Sequence, residues 1–164
     1  MSTRFFDTPL GIASVAWNAR GLASVHIAKC PQHPALDLNV PTPPPIAMLI
    51  ARLGEHLAGR KQDFTDIVLD WSLATPFQQK VYQAAQKIPP GYTTTYGEIA
   101  RQLGLGAEGA RAVGNALGAN PWLIVVPCHR VVAADGKLTG FSGGNGIETK
   151  ARLLAIEGAE LFSS

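Results

Sequence analysis

The sequence predicts an α/β (α+β) protein: a small N-terminal sheet-plus-helix domain over residues 1–72, then a mainly helical domain over residues 73–164. Three observations carry that expectation. Apolar-rich runs of strand length cluster near the start, and helix-capping signals dominate from Thr75 onward. Among those helices one run of branched residues, Ile124-Val125-Val126, reads as a short buried strand that leads to a cysteine.

The N-terminal half begins with a hairpin at residues 12–27. Ile12-Ala13-Ser14-Val15-Ala16-Trp17 and Leu22-Ala23-Ser24-Val25-His26-Ile27 flank a turn-like Asn18-Ala19-Arg20-Gly21. Six prolines between Pro31 and Pro45 mark a loop. Ile46, Leu49, Ile50, Leu53 and Leu57 then recur at helical spacing, with Gly59 as a stop. Ile67-Val68-Leu69 reads as a short strand. No chemistry is expected of this half. Cys30 with His26 and His33 lacks a fourth ligand at zinc spacing, so a structural role is preferred and no metal is expected.

From Thr75 the local signals sharpen. Thr75-Pro76-Phe77-Gln78 combines an N-cap, a proline at the first helical position and a glutamine at the third. That helix ends before Pro89-Pro90-Gly91. Thr95-Tyr96-Gly97-Glu98 is a second capping box, and Gly104-Leu105-Gly106 breaks the helix it opens. A further helix, with Ala110, Val113 and Leu117 on one face, runs to Asn120-Pro121. Two short helices across a glycine turn make a helix-turn-helix. The second is rich in glycine and alanine. Small residues there suit close helix packing, and equally suit approach to a narrow groove; only Arg111 and Asn115 have the chemistry to read bases. The last helix is expected to start at an Asn145 cap and to run to Gly158.

Bulk properties exclude several classes. At 164 residues there is enough chain for one good core or two small ones. With 16% charged and 46% apolar residues the composition is that of a soluble globular protein. No apolar run approaches the roughly 20 residues that span a bilayer, so no membrane partner is expected. The start, Met1-Ser2-Thr3-Arg4-Phe5-Phe6-Asp7, lacks a secretory apolar stretch. Two cysteines make no disulfide framework, and they fit a reduced, cytoplasmic compartment. The net charge is +2. The part before Leu73 has six basic and six acidic residues, and the rest eight and six, so the excess lies in the second half. That hints at an anionic partner bound with modest strength.

Pro127 cannot donate a ladder hydrogen bond, so it ends the buried run and presents Cys128 where the chain leaves the core. A cysteine beside an apolar run is commonly plain core. His129 and Arg130 supply electropositive surroundings, which are expected to depress the thiol pKa. Neighbouring residues do not face each other, so a bridging water is the natural proton path from Cys128 to His129. Glu157 sits in the last turn of its helix, against the macrodipole. It is either a tolerated surface residue or a buried group that orients His129.

Pro127-Cys128-His129-Arg130-Val131, followed by Gly140-Phe141-Ser142-Gly143-Gly144, resembles the active-site region of the O6-alkylguanine-DNA alkyltransferases. The similarity runs from about Leu73 to Leu161. It implies single-turnover transfer of an alkyl group from O6-alkylguanine, and also from O4-alkylthymine, to Cys128, with no cofactor. The partner implied is double-stranded DNA, bound through the minor groove with little sequence specificity, by a protein expected to be a monomer. By the same match the working set is Cys128, His129, Glu157, Tyr96 and Asn120: nucleophile, relay, relay anchor, proton donor to the leaving guanine, and brace of the turn before the cysteine. Arg111 is implied to fill the gap left by an extruded base, with Thr94, Thr95, Ala112, Asn115 and Arg130 also on DNA. Val131, Phe141, Ser142, Gly143 and Lys150 are implied to hold the base, although many relatives have tyrosine where this chain has Phe141.

Three rival functions draw on the same residues. Alkyltransferase-like sensors carry tryptophan in place of the cysteine, which Cys128 argues against. A helix-turn-helix regulator is disfavoured by a second helix that reads bases poorly. A Cys-His hydrolase wants an oxyanion hole and a base better placed than an adjacent histidine.

Overall fold

A computed structural model of the chain describes residues 2–27, 41–106, 108–136, 138 and 146–159. Strands β1 (Ser2–Thr8), β2 (Gly11–Asn18) and β3 (Gly21–Ile27) form an antiparallel meander in the order β1-β2-β3. The expected hairpin is β2–β3, with Val15 opposite Val25 and an irregularity between Ala16 and Trp17. Strand β1 is an addition to the sequence reading. Gly21 opens β3 at φ +140°, where an added Cβ would stand 2.6 Å from the Val68 carbonyl oxygen. Only glycine accepts both conditions.

Helix α1 (Pro44–Leu57) packs Ile46, Leu49, Leu53 and Leu57 inward, and Gly59 follows it at φ +97°. The strand expected at residues 67–69 contracts to one parallel bridge, Leu22 to Leu69. There Leu22 donates to the Val68 carbonyl at 2.8 Å and accepts from the Asp70 amide at 2.9 Å.

Helix α2 (Pro76–Gln86) starts at a complete capping box: Thr75 Oγ1 accepts from the Gln78 amide at 3.1 Å, and Gln78 Oε1 accepts from the Thr75 amide at 2.9 Å. We expect Thr75→Ala to lower stability by about 1 kcal/mol, a fall in Tm of roughly 2–4 °C. A thermal melt checks this, and an unchanged Tm would mean that the box is idle.

Strand β4 (Thr94–Thr95) runs straight into α3 (Tyr96–Gln102), whose first turn is capped by Thr95 Oγ1 on the Glu98 amide at 3.1 Å. The Glu98 carboxylate bonds Arg101 instead of completing a reciprocal box. Helix α4 (Gly109–Gly118) packs on α3 across the Gly104 turn, giving the expected helix-turn-helix. The two readings of its small residues separate by position. Gly109 serves packing, because a Cβ would meet Leu105 Cβ at 2.5 Å, whereas at Gly114 a Cβ would make an ordinary contact with the Tyr96 ring at 3.7 Å. Arg111, Ala112 and Asn115 lie on the exposed face.

The run before the cysteine is buried as expected, but turns and single bridges replace a regular strand. Trp122 bridges to Val25 of β3, and Leu123 to Val126. Ile124 has φ +71°, and the Val125 amide donates to the Leu123 carbonyl at 2.8 Å, which makes a γ-turn centred on a β-branched residue. Such a conformation costs about 1–3 kcal/mol and persists only when its surroundings over-determine it. Here they do: Trp122 is fully buried, its indole N–H donates to the Leu22 carbonyl at 2.7 Å, and its ring meets Trp71 and Tyr82 edge-on. Tyr82 in turn donates to the Ala116 carbonyl of α4 at 2.6 Å. One continuous hydrophobic core includes residues of the meander, α1, α2, α4 and the segment leading to Cys128.

The 3-10 turn Cys128–Arg130 follows, then β5 (Val131–Val132), parallel to β4. Helix α5 (Ile147–Ile156) begins at Gly146, φ +64°, without a side-chain cap; Asn145, expected to cap it, lies outside the described residues.

Candidate active site

The tight turn at Pro127, where the Cys128 amide donates to the Val126 carbonyl at 2.8 Å, sets Cys128 at the start of the 3-10 turn, 6% exposed. Asn120, at the end of α4, braces the approach. Its Oδ1 accepts from the Trp122 amide at 2.9 Å, and its Nδ2 donates to the Val126 carbonyl at 2.9 Å.

Burial pushes the Cys128 thiol pKa up, against a hydrogen bond from Asn120, the charge of Lys150 and nearby backbone amides. The sequence expectation of a depressed thiol pKa is therefore corrected. Of the two neighbours expected to depress it, His129 is held neutral and Arg130 is paired with a carboxylate, while desolvation acts on the sulfur directly.

His129 is fully buried, and its Nε2 lies 2.9 Å from Glu157 Oε2. Desolvation lowers the His129 pKa despite that carboxylate. A carboxylate only accepts, so the single imidazole proton sits on Nε2. Nδ1 is left as a bare lone pair, buried and without a hydrogen-bond partner among the described residues. Between the two readings of Glu157, the structure selects the buried one: it is fully buried at the end of α5. Burial alone would raise its pKa, but donors from His129, His56 and Arg130 together hold it well below the usual carboxylate range.

Arg130, expected on DNA, is corrected to an interior residue. Its Nε donates to Glu157 Oε1 at 2.9 Å, its Nη2 to Oε2 at 2.7 Å and its Nη1 to the Ile88 carbonyl at 2.6 Å. A carboxylate buried in apolar surroundings demands a counter-charge, and the guanidinium fork supplies it at two atoms. The expectation of no chemistry in the N-terminal half is also overturned. His56 of α1 is buried, with Nε2 at 2.8 Å from Glu157 Oε2. A signal was present in the sequence, since His56 falls on the stripe made by Leu49 and Leu53. A histidine on such a stripe needs a buried partner.

On the other side of the cysteine, buried Lys150 donates from Nζ to the Val131 carbonyl at 2.7 Å and to the Tyr96 hydroxyl at 3.3 Å, 5.6 Å from the Tyr96 ring centroid. The Val131 carbonyl, expected to receive a base amine, thus already accepts one strong donor and keeps a second lone pair. Thr94 and Thr95 are half-buried beside β5. Arg111, Ala112 and Asn115 border an open concavity on α4. Phe141, Ser142 and Gly143 lie outside the described residues, as do Cys30 and His33; among the described residues no cluster of three metal-ligating side chains occurs.

Together, fold and geometry define a protein that holds a buried free cysteine, next to a histidine anchored on a carboxylate, in the same core as a helix-turn-helix. Known proteins narrow this class. The family described as 6-O-methylguanine DNA methyltransferase, DNA binding domain, matches residues 76–159. A methylated-DNA–protein-cysteine methyltransferase of Mycolicibacterium paratuberculosis is 43% identical over 94% of this chain and 90% of its own length. A DNA base-flipping protein of Thermus thermophilus is 36% identical over 94% of this chain and 99% of its own. The crystal structure of Mycobacterium tuberculosis OGT in complex with DNA superposes with a TM-score of 0.77 at 37% identity, covering 95% of this chain and 92% of that one. The chain belongs to the methylated-DNA–protein-cysteine methyltransferase family.

Proposed function

We propose that Cys128 removes the alkyl group from O6-alkylguanine in duplex DNA, one lesion per protein molecule. The observation that carries this reading is the bare Nδ1 of His129, held in that tautomer by Glu157 in the residue next to a buried thiol. The thiol passes its proton through a water to Nδ1, and its sulfur attacks the alkyl carbon as the carbon–oxygen bond to guanine breaks. The departing guanine takes a proton from the Tyr96 hydroxyl, which Lys150 polarises. An S–C thioether replaces the S–H bond, and neither water nor a second thiol cleaves it. The step needs no cofactor, and O4-alkylthymine presents the same kind of carbon.

The target carbon lies within a base stack, so the nucleotide must be flipped out, at a cost of a few kcal/mol. Helix α4 enters the minor groove, its small exposed face favouring close approach over base reading, with Thr94, Thr95, Ala112 and Asn115 against the backbone and groove. Arg111 fills the vacated place. Val131 holds the extruded base, a role that the resemblance gives also to Phe141, Ser142 and Gly143. We read residues 73–164 as the DNA-binding and alkyl-accepting unit. The protein acts as a monomer in a reducing, cytoplasmic compartment; among the described residues no helix is long and apolar enough to cross a membrane.

Incubation with a methylated duplex oligonucleotide, followed by peptide mass analysis, tests this. One methyl on the Cys128 peptide is expected, and none would overturn it. Binding to the methylated duplex without methyl gain would favour the second reading, a lesion sensor, which similarity to a DNA base-flipping protein keeps in play. Arg111→Ala is expected to slow repair of duplex DNA roughly tenfold or more, about 1.4 kcal/mol, and to spare reaction with free O6-benzylguanine. Equal losses on both substrates would remove Arg111 from base flipping.

A further inference from the structure

The part of the site with no assigned role is His56, on a helix of the N-terminal half 101 positions before Glu157. Its tautomer is set from both sides. Nδ1 accepts from the Gln62 amide at 3.0 Å, and an amide N–H only donates, so the ring proton is on Nε2 and points at Glu157 Oε2. The Phe64 ring packs edge-on against the imidazole at 5.4 Å between centroids and fixes its plane. Two neutral imidazoles, from opposite halves of the chain, therefore donate from the same atom type to one carboxylate oxygen. Arg130 grips the same carboxylate from Nε to Oε1 and from Nη2 to Oε2, so Oε2 accepts from His56, His129 and Arg130 together. The His56 donor is the one that reaches it from α1.

We infer that His56 is a positioning residue for the proton relay: its Nε2–H holds Glu157 Oε2 in place against His129 Nε2, so that thiol reactivity at Cys128 depends on the seating of α1. The inference rests on the relay proposed above. It also means that the N-terminal half takes part in the chemistry without touching substrate. Without His56, Oε2 keeps Arg130 Nη2 as its fixed donor and is free to shift away from His129, so its pull on the His129 proton weakens and Nδ1 becomes a poorer base.

The test compares His56→Leu, which deletes the donor, with His56→Gln, whose amide reaches about as far as Nε2 and keeps one. The readouts are the pH profile of Cys128 alkylation by iodoacetamide and the rate with O6-benzylguanine, both in the full chain. His56→Leu is expected to slow both reactions about tenfold and to move the iodoacetamide profile to higher pH. His56→Gln should stay within about threefold of wild type with the profile unmoved. If His56→Leu does not fold, His56→Asn, whose amide stops one carbon short of Glu157, takes its place with the same expectation. A donor-lacking variant with the wild-type profile, or with a profile moved to lower pH, overturns the inference, as does a His56→Gln variant as slow as His56→Leu. A wild-type protein that gains no methyl from DNA while the iodoacetamide profiles still separate would overturn the repair reading and leave this inference standing.

Discussion

Cys128→Ala is expected to abolish methyl transfer from DNA and to leave duplex binding close to that of the wild type. The sulfur is the nucleophile in every step proposed, and among the described residues Cys128 is the free cysteine. Alanine removes one buried heavy atom, so stability should fall by only about 1 kcal/mol, in the range of small core truncations. The DNA face proposed on α4 is separate from that atom: Arg111, Ala112 and Asn115 are exposed, while Cys128 is 6% exposed. Gel-shift binding together with mass analysis of a methylated duplex reaction checks both halves of the expectation. Residual methyl on the protein would place the acceptor elsewhere. Loss of binding would make the thiol part of the DNA surface.

Glu157→Gln should have the largest effect on stability, a loss of about 3–5 kcal/mol, because it strips the counter-charge from buried Arg130. The amide also presents N–H groups where His56, His129 and Arg130 all donate, so at least one contact becomes donor against donor. Against a total stability of about 5–15 kcal/mol, that is a large share. Urea midpoints give the size of the loss, and a change below about 1 kcal/mol would mean that Arg130 finds another partner or reaches water.

The same cluster sets the acid limb of stability. In the unfolded chain an imidazole titrates near 6.5 and a glutamate near 4.5. In the folded protein both His129 and Glu157 titrate lower, the first through desolvation, the second because its donors outweigh the opposing effect of burial. Between each folded and unfolded value the unfolded chain holds the extra proton, so stability falls as pH falls. The His129 contribution is whole above pH 6.5 and declines below it, by up to about 1.4 kcal/mol per pH unit. Below 4.5 Glu157 adds a second proton and the slope steepens. Stability measured by urea from neutral pH downward, at constant ionic strength, should show both breaks. No decline before pH 4.5 would mean that His129 is not held neutral.

Much of this molecule is readable from short stretches of chain. The Thr75 and Thr95 caps, the glycine breaks and the period of α1 specify helices through interactions spanning four residues or fewer, which a sequence displays directly. The cysteine beside a histidine, after a proline that ends a buried run, is local in the same sense. The turn at Ile124 is not. Nothing in Ile124 itself asks for φ +71°; the conformation depends on Trp122 being seated against Leu22 of β3, 100 positions earlier in the chain.

What the amino-acid order determined by itself was therefore the set of helices, the HTH pair and the placing of Cys128 and His129 after a buried run. Tertiary structure alone decided that Arg130 turns inward, that His56 meets the Glu157 carboxylate, and that burial raises the thiol pKa. Those outcomes depend on how many charges share one desolvated space, and in this chain the sharers are drawn from positions as far apart as 56 and 157. Electrostatics in a low-dielectric interior follows distance in space, and only folding sets that distance.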